Sequence, residues 1–197
     1  MVCEQQVMDC ENTSSTRMET VHSPPVRADD GLQAKWRICL HEAGHLLAGV
    51  RLLGHTSQAM TFRDNIGLAY IGVGGIPRTD AEATAVAVGE VAEALSRKYS
   101  PPQVEMRTCP DAERPEYVDR IKAGQFDDSF MPDAMAIARW CIADCESRPY
   151  RWKRRYEWLY DQADAFVEEH ELQILSLAQQ LFSSGSLTVS ASPTERQ

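Results

Sequence analysis

The chain has 197 residues, 43% of them hydrophobic and 25% charged, which is enough for one globular domain with a real core. Its net charge of −9 and pI near 5.0 argue against a general nucleic-acid binder. No apolar run approaches the ~18 residues of a membrane span, and no basic segment followed by an apolar one marks a signal peptide. The six cysteines, Cys3, Cys10, Cys39, Cys109, Cys141 and Cys145, form no paired metal-binding pattern. They read as reduced, mostly packed thiols, and a cytoplasmic protein with no membrane or nucleic-acid partner is expected.

Residues 1–28 are polar, carry Pro24-Pro25 and lack apolar periodicity, so a disordered tail is expected there. The expected domain spans 29–190, with a frayed tail over 191–197. It opens on a helix from about Asp30 to Leu53. Trp36, Ile38, Cys39, Leu40, Leu46, Leu47, Val50 and Leu53 supply apolar cover, Asp29 or Asp30 can cap the start, and Gly54 can end it. Inside this helix lies His41-Glu42-Ala43-Gly44-His45, which fits H-E-x-x-H. Positions i and i+4 share a helix face, so both imidazoles can reach one zinc ion. Glu42 sits where it can take a proton from a water on that ion.

Two short strands follow, Ala59–Phe62 and Ile66–Val73, joined through the turn pair Asp64-Asn65. Gly72, Gly74 and Gly75 lack the spacing of a phosphate loop and read as a bend or a close approach of backbone. Arg78 to Tyr99 reads as a helix stopped by Pro101-Pro102, and Ser100 to Glu116 as a surface loop. Asp127-Asp128-Ser129 can begin a helix carrying Ala134, Ile137, Ala138 and Trp140. Pro149 suits the first turn of another, with Trp152, Tyr156, Leu159, Tyr160, Ala163, Phe166 and Val167 at helical steps. The basic run Arg151, Lys153, Arg154 and Arg155 reads as a solvated helix face. A last helix covers Leu172 to Phe182, ended by Ser183-Ser184-Gly185. The fold class is mainly α (α+β).

Catalytic zinc commonly has three protein ligands and one open position. The extended H-E-x-x-H-x-x-G-x-x-H form needs glycine at Ala48 and histidine at Arg51 and is excluded. His55 falls beyond the metal-facing side of the helix. The third ligand must come from a later element.

From about Arg37 to Thr188 the chain resembles the peptidase domain of the FtsH-type AAA metalloproteases. Ile38-Cys39-Leu40-His41-Glu42-Ala43-Gly44-His45 is similar to that family's signature helix. Gly67-Leu68-Ala69-Tyr70 followed by Pro77 resembles its glycine-containing strand, and Gly89-Glu90-Val91-Ala92-Glu93 its G-x-x-A-E helix. Ala134 to Arg139 resembles the helix after its aspartate ligand. Ala163, His170, Leu177-Ala178 and Leu187-Thr188 run through a region similar to its terminal helical hairpin. The resemblance implies a zincin-like fold with a C-terminal helical hairpin. It implies Zn2+ held by His41, His45 and Asp133, with Asp127 and Asp128 as rivals for the third place. Glu93 is left open between orienting a histidine, serving as the third ligand and facing solvent.

The implied activity is ATP-independent zinc endopeptidase cleavage of unstructured peptides or unfolded protein, with Glu42 as the catalytic base. The family's ATPase module and membrane anchor are not seen in this sequence, so a separate ATPase or regulatory partner stays open. Two rival readings remain: a zinc-binding interaction module, active only with a partner or not at all, and a structural zinc site closed by four ligands.

Overall fold

The computed structural model describes residues 28–126, 131–145 and 151–191. The tail expected before Ala28, Asp127 and Asp128 with the helix start placed on them, Pro149, and the last six residues lie outside the described residues.

Helix α1, Ala28–Leu53, is the central element. Trp36, Cys39, Leu40, Ala43, Leu46, Leu47 and Val50 are buried along it at three- and four-residue steps, the stripe of a helix that packs by one broad face. Helix α2, Asp80–Ala92, a later long helix and a small sheet all pack on α1. The sheet joins β1, Ser57–Phe62, to β2, Ile66–Tyr70, through a turn in which Asn65 takes a positive φ of 60°. Asn tolerates that conformation, so Asp64-Asn65 serves as the expected turn pair.

Helix α2 starts at Thr79, whose hydroxyl accepts the Glu82 amide at 3.1 Å. The expected helix through Tyr99 changes character at Glu93, where α2 tightens into a 3-10 turn, Glu93–Arg97. A short helix α3, Glu116–Lys122, follows the surface loop and was not expected. Helix α4 covers Asp133–Asp144 and buries Ala136, Ile137 and Cys141.

Helix α5 runs from Trp152 to Ser184. Two helices and a hairpin were expected here. Two helical stretches are found, as expected, joined directly at a kink where His170 leaves helical geometry (φ −113°, ψ 15°). No glycine or proline lies between Phe166 and Leu172, and the two stretches follow one another through the kink without a separate loop. Gly185, at φ 80°, ends α5 and leads into β3, Ser186–Val189. The sheet is antiparallel in the order β2-β1-β3, with Ala59 opposite Ala69 and Leu187, and Met60 opposite Leu68. Ala59, Ala69 and Leu187 join the main core. Met60 and Phe62 form a second apolar cluster with Cys109, Ile66 and Leu68.

Trp36 ties these layers together. It is 1% exposed, meets Phe182 of α5 edge-on at 5.9 Å and donates its indole N–H to the Tyr99 carbonyl at 2.8 Å. Trp36→Ala should lower unfolding free energy by about 3–5 kcal/mol, read as a drop in urea midpoint with unchanged slope.

Candidate metal centre

His41 and His45 stand one turn apart on α1 and bring their rings to a centroid distance of 4.6 Å. Their Nε2 atoms are 3.0 Å apart. Asp133, the first residue of α4, places Oδ2 at 3.0 Å from the Nε2 of His41 and at 3.0 Å from that of His45. The three donor atoms form a triangle.

The opposite ring nitrogens decide what that triangle is. His45 Nδ1 lies 3.1 Å from the Ala85 carbonyl oxygen. His41 Nδ1 lies 2.9 Å from Glu93 Oε1. A carbonyl only accepts, and so does an ionised carboxylate. Glu93 is ionised: the hydrogen bond from His41 and the Arg37 guanidinium at 2.6 Å outweigh burial and hold its pKa at about 2. Both Nδ1 atoms therefore donate, and each ring, once it gives up its second proton, has its lone pair on Nε2. Two lone pairs and a carboxylate oxygen face one point, an arrangement that a cation satisfies. With ligand bonds of roughly 2.0–2.1 Å, a tetrahedral edge is about 3.3–3.4 Å, close to the 3.0 Å sides seen here. His41, His45 and Asp133 could thus hold a metal ion.

The electrostatics agree. Burial alone would depress both imidazoles, but the carboxylates of Asp133 and Glu93 raise His41 well above its ordinary value, and Asp133 raises His45. Burial would raise Asp133, yet the two histidines hold it far below the usual carboxylate range. The site attracts positive charge, and protons and metal ions compete for it.

Glu42 is 5% exposed and borders the same cavity of about 180 Å³ as the three ligands. Burial raises its pKa against the opposing pull of His41 and His45. A β-carbon at Gly67 would lie 2.2 Å from Glu42 Oε1, so only glycine lets β2 run this close. At Gly89 of α2 a β-carbon would lie 2.3 Å from His45 Nε2, on the ligand atom itself. Both glycines belong to the short motifs read from the sequence.

No family model, curated protein or solved structure matches the chain. No helix among the described residues is long and apolar enough to cross a membrane.

The structure brings His41, Glu42, His45 and Asp133 together. It seats Glu93 on the far side of the His41 ring, where it orients that histidine and is not part of the ligand triangle. His55 packs against Gly72, away from the triangle. Cys39 stays a thiol, its pKa pushed up to about 12 by burial and by nearby Glu42. The sequence reading missed the Ala85 carbonyl and Arg37. A usable signal was the spacing of Ala85, Gly89 and Glu93, four residues apart along α2 and into the 3-10 turn that follows it.

Removing a ligand should matter more than removing an orienting group. In chelator competition with a divalent first-row metal, Asp133→Ala and His41→Ala should bind far more weakly than Glu93→Ala. Asp127→Ala and Asp128→Ala should match the wild type, and a larger loss in either would give that residue the ligand role.

Affinity should also depend on pH. Both histidine pKa values are raised, so protons occupy the rings up to a pH above 6.5, and metal must displace them. Affinity should weaken as pH falls through that range and level off above it, measured by the same competition at stepped pH.

Proposed function

We propose that the chain is a zinc-dependent endopeptidase of the FtsH-peptidase kind that hydrolyses unstructured peptides without ATP. The observation that carries this reading is Glu42: a buried carboxylate with raised proton affinity opens on the same cavity as three converging ligand atoms. His41 Nε2, His45 Nε2 and Asp133 Oδ2 would hold the zinc, a two-histidine, one-carboxylate set that leaves a position for water or substrate. When bound, zinc supplies a Lewis acid that acidifies a water towards neutrality and polarises a carbonyl.

The remaining work falls to the protein. Glu42 accepts the proton of the attacking water and hands it to the leaving amine. Glu93 and the Ala85 carbonyl keep each imidazole in the tautomer that points its lone pair inward. Strand β2 lines the cavity through Gly67, Leu68 and Ala69 and stands at the edge of the sheet. An extended peptide can add to that edge, whereas a folded one must first open. The apolar wall of Leu68, Ile71, Val73, Val86 and Met131 favours an apolar side chain beside the cleaved bond. The four described cysteines are free thiols, in keeping with the reducing cytoplasm.

Glu42→Gln should keep zinc and lose cleavage of an unstructured peptide library, since it removes the proton acceptor and spares the ligands. ATP should change nothing. Cleavage retained in Glu42→Gln would remove that residue from the mechanism. A zinc-loaded wild type that cleaves nothing in the library would make the domain a zinc-binding interaction module.

A further inference from the structure

Helix α4 carries Asp133 in its first turn but has no cap of its own. Pro132 occupies the N-cap position and makes no side-chain hydrogen bond. The first amides of a helix need an outside acceptor, and here α2 provides one. Glu90 Oε1 accepts the amide of Ala134 at 3.0 Å, 44 positions along the chain. The other oxygen, Oε2, accepts the hydroxyl of Tyr160 on α5, and Tyr160 in turn accepts the hydroxyl of Tyr156 at 3.0 Å. One carboxylate therefore joins α2, α4 and α5 at the peptide unit next to Asp133.

Metal ligation tolerates little displacement, and a ligand's orientation depends on what holds its backbone. We propose that Glu90 is a positioning residue for the metal centre: it fixes the start of α4 so that Asp133 Oδ2 reaches His41 and His45, and Tyr160 holds Glu90 in place. This inference rests on the metal-site reading above. It differs from simple helix capping, which would support the fold equally with and without metal. It also differs from a charge effect, since Glu90 borders the hollow beside His41 and Asp133 and its negative charge alone would favour a cation. Glu90→Gln separates these, because the amide oxygen still accepts from Ala134 while the charge is gone.

The test uses the full chain with zinc and with cobalt(II), whose visible spectrum reports its ligands. Zinc affinity is read by chelator competition. Glu90→Ala should weaken zinc binding by about 10–100-fold and alter the cobalt spectrum. Glu90→Gln should restore both towards wild type. Tyr160→Phe, which touches no ligand, should weaken binding by less than Glu90→Ala. The proposal is overturned if Glu90→Ala keeps wild-type affinity and spectrum while merely unfolding more easily, or if Glu90→Gln is as weak as Glu90→Ala. Should Glu90→Ala not fold, Glu90→Gln and Tyr160→Phe decide: near-normal binding in the first with weakened binding in the second supports the positioning role, and any other pairing overturns it. A wild-type chain that takes up neither ion overturns the metal reading itself, and this inference with it.

Discussion

Three hydrogen-bond acceptors facing one another at 3.0 Å are the constraint on which the rest of the site depends. Such a cluster repels itself unless positive charge joins it, so each member must be held from outside. Helix α2 and the 3-10 turn that continues it do most of that holding. The Ala85 carbonyl fixes the His45 ring, and Glu93 fixes the His41 ring. Gly89 leaves room for His45 Nε2, and Glu90 receives the start of α4. Helix α1 supplies two ligands, yet their orientation belongs to its neighbour.

The site couples this electrostatic demand to packing. Glu42 and His45 are both buried, flanked by a strand and a helix that approach closely through Gly67 and Gly89. Charge is tolerated inside the domain because His41, His45 and Asp133 each have a defined partner, a general condition for burying ionisable side chains. The apolar core around Trp36, Leu40 and Leu46 then keeps α1 and α2 in register, so a core defect far from the histidines would be felt at the ligands.

Much of this was legible in the sequence, for identifiable reasons. The motif helix combines a strong local pattern with a fixed i, i+4 geometry, so His41 and His45 could be placed on one face, with Glu42 beside them, without any tertiary information. Asp64-Asn65 is a local turn signal, and it holds. Asp133 came from the order of short motifs, since spacing alone cannot say which distant aspartate returns to the histidines. Strand β3 was missed because four residues of alternation carry little signal and its pairing with β1 spans most of the chain. Helix α3 is barely two turns, too short for periodicity to stand out. Glu90 was invisible for another reason: its role is to a backbone amide on another helix, and no residue pattern records such a contact.

The separation between ligands has a consequence for how the protein matures. Asp133 lies 92 positions after His41 and 88 after His45, with β1, β2, α2 and α3 in between. Closing so long a loop costs chain entropy, and a shared ion would act on it much as a cross-link does. During synthesis the histidine pair emerges well before its third partner, so a nascent chain offers only a weak two-point site. The three-donor cluster is complete only once α4 has docked, and a site built this way stays unassembled until most of the domain around it has folded.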